Sequence, residues 1–472
     1  TEFARTVGRL PPATDLTPMN APVRLQPAAK ANTLLTSPIL PTLLRLALPN
    51  VVAMFGSTLV AVAETAYIGR LGIVPLAAIA LAFPFTMLMQ TTSAGAIGGS
   101  VSSAISRALG ADNVDRANAL AWHAATIGVL GGLFFTSMML LFGRRLFALL
   151  GGDGAVLAEA TGYATVLFSG AITIWLVNTL ASILRGTGNM RVPSMTLLVV
   201  AVLQVICGGA LGLGLGGIPR FGMMGVASGQ LIAYTIGTVF LAWYLASGRS
   251  KLTLHPSTFA LRRNMFADIL KVGAISCLSP VQTVLTIVVF TKIVTGFGVA
   301  ALAGYGIGAR LEFLLIPVAF AFGVASTPMV GMAIGAGLVA RARRVAWTTG
   351  CAAGLTVGAI GIIVAIWPSL WISLFTSDAE VTKAATTYFA WAGPGFGFFG
   401  FGIAMYFASQ GAARVAGPVL ASTLRLLIVA GGGWWLATIH APASMLFALV
   451  ATAMFAFGIV TALAVYFTRW GK

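Results

Sequence analysis

Twelve runs of apolar residues, each long enough to cross a bilayer, follow one another from about residue 40 onward, centred near residues 56, 92, 130, 172, 204, 235, 283, 317, 355, 397, 426 and 456. A spanning helix needs about 20 such residues, so a chain of 472 is filled by these runs and no large extramembrane domain fits. The breaks carry turn residues, as in Gly110-Ala111-Asp112 and Gly151-Gly152-Asp153. Only 8% of the residues are charged and 58% are hydrophobic, where a soluble domain carries about 25% charged residues. A water-soluble, disordered or fibrous chain is excluded, and the expected class is an all-α polytopic membrane protein. Cys207, Cys277 and Cys351 all lie in apolar runs and give no disulfide framework. His123, His255 and His440 lie singly, so neither a metal site nor a cofactor is expected.

The formal charge of +17 would suggest nucleic acid in a soluble protein. Here the positions of the basic residues give another meaning. An even number of spans puts both termini on one face. That face collects Arg5, Arg9, Arg24, Lys30, Arg45, Arg107, Arg116, Arg185, Arg191, Arg249, Lys251, Arg262, Arg263, Lys271, Arg341, Arg343, Arg344, Arg414, Arg469 and Lys472. The other face holds only Arg70, Arg144, Arg145, Arg220 and Lys383. Basic loops stay inside, so both termini are expected in the cytoplasm, with the protein in the inner (plasma) membrane and no nucleic-acid partner. Residues 1–40 read as a polar, Pro-rich cytoplasmic tail with no apolar core of the signal-peptide type.

The chain also repeats itself. At one offset of 225 residues, Leu109-Gly110-Ala111 meets Ile334-Gly335-Ala336, Arg116 meets Arg341, and Ala121-Trp122 meets Ala346-Trp347. Asp153, Tyr163, Gly186 and Pro193 likewise meet Asp378, Tyr388, Gly411 and Pro418. The expected plan is two six-helix lobes, 41–246 and 266–472, joined by a polar cytoplasmic linker over 247–265. Because each lobe has an even number of spans, their pseudo-twofold axis runs along the membrane normal, with a cavity between lobes that rock against each other. The linker is expected to accommodate that motion.

Of the 11 acidic residues, nine fall at the two faces and only Glu64 and Glu312 lie within spans. Glu64 sits in Val60-Ala61-Val62-Ala63-Glu64-Thr65-Ala66-Tyr67 with no base within a helical turn. Low dielectric disfavours its ionised form, which suits a residue that takes up and releases a proton. Its counterpart in the second lobe is Val289, so this chemistry belongs to one lobe. Glu312 lies two residues after Arg310, on a different helix face, and Lys292 is its candidate partner in a charge network. Pro49 stands fifteen residues before Glu64, where it either bends the first span or merely opens it. A membrane-embedded enzyme would need a catalytic constellation. No zinc-protease His-Glu-x-x-His, paired intramembrane Asp or nucleophile elbow is present.

Four stretches together resemble the multidrug and toxic compound extrusion (MATE) transporters: Leu48-Pro49-Asn50 with Glu64-Thr65-Ala66-Tyr67-Ile68-Gly69, Leu184-Arg185-Gly186-Thr187-Gly188-Asn189, Gly306-Ile307-Gly308-Ala309-Arg310-Leu311-Glu312, and Gln410-Gly411-Ala412-Ala413-Arg414. The resemblance covers nearly the whole chain and implies antiport, in which a proton or sodium ion enters as an amphipathic, typically cationic, organic compound leaves. It implies an ion-coupling site of Glu64, Asn178 and Gln204, with Pro49 as a hinge. Where relatives often carry a span 5 aspartate this chain has Gly208, and the acids of sodium-coupled members in spans 7 and 10 are missing. Proton coupling is therefore the expectation, with sodium coupling or a lipid-linked saccharide flippase of the related superfamily as alternatives. Position alone suggests Tyr67, Gln282, Tyr305 and Phe396 for the substrate cavity. A monomer surrounded by lipid is expected.

Overall fold

Hydrocarbon offers no water to backbone N–H and C=O groups, so a spanning segment must satisfy them internally, and the apolar runs accordingly form helices. The computed structural model describes residues 33–253 and 261–471. Most of the 1–40 tail, residues 254–260 of the linker and His255 lie outside the described residues. The first lobe contains α1 (Ile39–Leu71), α2 (Ile73–Gly110), α3 (Val114–Leu149), α4a (Gly154–Ser169) with α4b (Ala171–Gly186), α5 (Arg191–Leu213) and α6 (Gly222–Ala246). The second contains α7 (Arg263–Thr295), α8 (Val299–Gly335), α9 (Val339–Ile366), α10 (Ala379–Gly411), α11 (Ala416–Thr438) and α12 (Ala443–Phe467). Ten of these helices are long and apolar enough to cross a bilayer, and α4a with α4b, bent by 49°, makes an eleventh. The twelfth, α10, is long enough at 33 residues but less apolar, with Glu380 in its first turn.

Five helix pairs keep the offset of 225 to within two residues at their starts. The offset falls to 221 at α6 and α12, because the preceding loop is eight residues in the first half (214–221) and four in the second (439–442). The symmetry shows directly where the halves touch. A Cβ placed on Gly110 would overlap the Met332 backbone, and one placed on Gly335 would overlap the carbonyl of Arg107, which is Met332's counterpart. Ser106 and its own counterpart Gly331 face each other, and a side chain at 331 would run into the Ser106 hydroxyl. Reciprocal contacts of this kind define a twofold interface. Since α2 and α8 run in the same direction, the axis is along the membrane normal. The contact closes the halves on the face where the described chain begins and ends. It is reinforced there by Ser103, which donates to the Gln410 carbonyl and at 3.2 Å to that of Gly411.

Each half has its own hydrophobic core, and α1 and α7 belong to both. Leu43 and Ala47 of α1 pack into the second-half core, while Tyr67 and Ile68 pack into the first. Ile269 of α7 packs into the first-half core, and Phe290 and Val294 into the second. Each crossing helix carries an internal proline near the changeover, Pro49 and Pro280. Pro49 therefore lies inside a continuous helix rather than in its first turn, and lacks the N–H that would bond the carbonyl one turn back.

The linker is not slack at its described ends. Thr253 N donates to Asn118 Oδ1 at 3.0 Å, and Leu252 is fully buried in the first-half core. Arg262 N donates to His123 Nε2 at 2.7 Å, while His123 Nδ1 donates to the Ala119 carbonyl at 2.7 Å and Phe266 packs edge-on 4.6 Å from the ring. Six residues later, Asp268 pairs with Arg107 at 3.0 Å and Arg116 at 2.7 Å. The linker ends and the start of α7 thus ride on the first half, and α1 and α7 are the helices that cross between the two cores.

Two outcomes follow from these contacts. With Cys207, Cys277 and Cys351 replaced, Ser106→Cys with Gly331→Cys is expected to cross-link on oxidation and to stop transport until reduced. His123→Ala removes an acceptor and a buried ring at a cost of about 2–4 kcal/mol, and limited trypsin digestion should then cut faster at Arg262 and Arg263.

Candidate functional site

A cavity of about 440 Å³ opens within the first half, lined mainly by α1, α2, α4b, α5 and α6 and closed from the second half by Phe320 and Val324. Its polar lining includes Asn50, Glu64, Gln90, Tyr163, Asn178, Arg185, Gln204, Gln230 and Tyr234. All three residues expected at the coupling site, Glu64, Asn178 and Gln204, therefore face one space.

They form two separate hydrogen-bonded groups. Gln204 Nε2 donates to Glu64 Oε1 at 2.6 Å, joining α5 to α1. Asn178 Nδ2 donates instead to Gln90 Oε1 at 3.1 Å and Ser93 Oγ at 2.9 Å, and Gln90 Nε2 donates to Tyr234 Oη at 2.8 Å. Asn178 is thus placed in the cavity wall but not bonded to Glu64. Gln90, Ser93 and Tyr234 were not anticipated. The signal available was the polar run Gln90-Thr91-Thr92-Ser93 inside an apolar span. There the helix widens into a π turn, Thr91–Ile97, a distortion found mostly at functional sites. The carbonyls of Gly95 and Ala96, within that turn, accept Gln410 Nε2 from the other half at 3.2 and 3.3 Å.

Tyr67 does not line the cavity. Its hydroxyl is buried beside the Glu64 carboxyl, and a Cβ on Gly208 would lie 2.9 Å from it. The space that an aspartate at 208 would need is therefore taken by this phenol. At Gly229, a Cβ would overlap the Gly208 backbone, so α5 and α6 also meet too closely there for a longer side chain.

The second half has a smaller cavity of about 60 Å³, lined by Tyr305, Glu312, Phe313, Phe399 and Arg425 among others. The expected network of Lys292, Arg310 and Glu312 is not what surrounds it. Lys292 is exposed, and Arg310 lies 5.0 Å over the Phe375 ring. Glu312 instead accepts from the Tyr388 hydroxyl. A charge two residues away points off another helix face, whereas Tyr388 comes across from α10. Arg425 lines the same cavity, with its guanidinium 4.8 Å from Phe399 and 5.6 Å from Phe457. Tyr305 stacks edge-on with Phe290 and Tyr388. Phe396 lines a still smaller void beside Glu312, and Gln282 donates to Thr423 Oγ1 at 2.7 Å. None of Tyr67, Gln282, Tyr305 and Phe396 reaches the large cavity.

A two-lobed bundle of twelve membrane helices, closed at one face around its twofold axis and hollow beneath, is the architecture of a membrane transport protein. The chain belongs to the MatE family, whose family model matches residues 49–208 and again residues 276–435, once in each half. It is a transporter, not an enzyme. It is 26% identical over 345 residues to the probable multidrug resistance protein NorM of Thermotoga maritima, covering 72% of this chain and 73% of that one. It is also 26% identical over 311 residues to the FAD transporter of Shewanella oneidensis, covering 66% and 69%. Among solved structures it resembles a MOP superfamily transporter from Pyrococcus furiosus, with a TM-score of 0.85 at 23% identity over 93% of this chain and 97% of that one. An outward-facing MATE family transporter gives 0.82 at 24% identity over 92% and 96%.

The bond from Tyr388 to Glu312 depends on Gly308, where a Cβ would overlap the tyrosine ring. Gly308→Ala is expected to push Tyr388 off the carboxylate and destabilise the second half by about 1–3 kcal/mol, measured as a lower melting temperature of the purified protein.

Proposed function

We propose that the chain is a secondary active antiporter that exports amphipathic organic compounds in exchange for protons by alternating access, with Glu64 as the residue that carries the proton. The lobes 41–246 and 266–472 would rock about α1 and α7, with both termini in the cytoplasm as the basic loops require. The observation that carries this reading is the place of Glu64, a carboxyl in the wall of the large cavity with no ion pair among the described residues.

Its surroundings favour a proton over sodium. The groups that reach the carboxylate are hydrogen-bond donors, the Gln204 amide N–H and the neighbouring Tyr67 hydroxyl. A bound sodium ion would call for several oxygens converging on the same point. When the cavity is wet, the carboxyl can release its proton to water. When the cavity is dry, the neutral acid is the form that low dielectric tolerates. Substrate and proton then compete for one wall of one cavity, which is the minimum an exchanger needs. The relatives are named for FAD and for multidrug resistance, so an organic substrate fits them both, while its charge is left to the residues of the cavity.

The test is export from inverted vesicles under an imposed pH gradient or an imposed sodium gradient, for wild type and Glu64→Gln. The pH gradient alone is expected to drive export, and the variant to lose that response. Export driven by sodium alone, or a variant with an unchanged pH response, would sink the assignment.

A further inference from the structure

The large cavity holds a charge that proton exchange does not use. Arg185, in the last turn of α4b, lines it. The residue is only 8% exposed, and its Nε is buried without a hydrogen-bond partner. The ion pairs among the described residues are those of Asp268 with Arg107 and Arg116, so no carboxylate answers this guanidinium. A guanidinium cannot shed its proton to escape burial, and a charge out of water is costly unless it is paired.

In the second half the donor at the same position is satisfied. The counterpart of Arg185 at the 225 offset is Gln410. Its Nε2 bonds the carbonyls of Gly95 and Ala96, Ser276 Oγ at 3.1 Å and Tyr406 Oη at 3.1 Å. The counterparts of Ser276 and Tyr406 are Val51 and Ala181, which bring no side-chain acceptor. The first half therefore puts a stronger donor where side-chain acceptors are missing, and turns it toward an open space.

That space has two ends. Asn50, which donates to Met190 Sδ at 3.5 Å just beyond α4b, marks the Arg185 end. Glu64 lies fourteen residues further along α1, about 21 Å away at the helical rise. Phe320 and Val324 close the wall between the lobes. The cavity is thus long, largely apolar along its sides, acidic at one end and basic at the other.

We infer that Arg185 recognises an anionic oxygen group, a carboxylate or phosphate, on an amphipathic organic substrate whose apolar body lies along the cavity toward Glu64. This rests on the export reading and narrows its substrate class. A wholly cationic compound leaves the guanidinium unpaired, whereas a zwitterion or an organic anion supplies the missing partner with two parallel acceptors, the arrangement a planar guanidinium favours.

Binding measured without any gradient tests it. The full chain in phosphatidylcholine nanodiscs is titrated against rhodamine 110, which has a free carboxylate, and rhodamine 123, its methyl ester, by fluorescence anisotropy. The free acid is expected to bind tighter than the ester by about tenfold or more. Arg185→Gln should bring the two dyes to within about twofold, and Arg185→Lys, which keeps the charge but not the fork, should retain only part of the difference. Equal binding of acid and ester to the wild-type protein overturns the inference whether or not any variant folds, as does an Arg185→Gln protein that weakens both dyes alike. Repeating the titration with phosphatidylglycerol in the nanodisc separates substrate from lipid. An acid advantage that survives supports a substrate site, and one that disappears assigns Arg185 to a lipid headgroup and overturns it. A wild-type protein that shows the acid advantage but no export under a pH gradient would count against the Glu64 assignment alone.

Discussion

A polar group inside a bilayer has no water to fall back on, and every polar contact in this protein answers to that constraint. The backbone meets it by forming helices. The side chains meet it by pairing across helices, as Gln204 does with Glu64, Asn178 with Gln90 and Ser93, and Tyr388 with Glu312. Where helices cross at a glycine, close approach replaces the side chain altogether, and the meeting of α2 with α8 is built this way on both sides of the axis. A charged group left without a partner then stands out, as Arg185 does in the cavity wall.

The two halves share a plan and divide the chemistry. Gly110 and Gly335, or Tyr163 and Tyr388, occupy matching places because symmetric packing needs matching shapes. Glu64 has Val289 as its counterpart, and Glu312 has Met87. The first half gathers its polar groups around one large cavity, while the second encloses Glu312 and Arg425 among aromatic rings in a small one. Symmetry is kept at the closing surface and given up where a ligand would sit.

The helix count, the repeat and the lone carboxylate were legible in the sequence because each is a signal along the chain: apolar run length, a fixed offset, a rare residue type. What was not legible depends on which side of a helix a residue faces. Asn178 is in the cavity wall but bonds Gln90, a choice set by the rotation of α2 at its π turn. Tyr67, one turn from Glu64, points to Gly208 instead of the cavity. The linker reads as slack because it is polar, yet its described ends are tied down by His123 and Asn118, two side chains far away in sequence. Arg185 was counted among the basic residues that set topology, and it is indistinguishable from them by position. Only the structure separates a charge at the membrane face from one that lines the cavity.

On the proposed reading, these features bear on how the protein exchanges two solutes. A ligand shifts a conformational equilibrium only by the difference in its affinity for the two states, so an exchanger works best when the empty states are close in energy. The twofold relates the lobes and not the two faces of the membrane, so reciprocal contacts such as Gly110 on Met332 and Gly335 on Arg107 can be made or released together without favouring one lobe. The unequal residues supply the difference. A carboxyl that is neutral in a dry cavity and a guanidinium that never is cannot be served by the same conformation equally well when empty, protonated or loaded. On the proposed reading, the charge left unpaired at Arg185 disfavours closing the cavity around nothing, which is what tight exchange requires of an empty carrier.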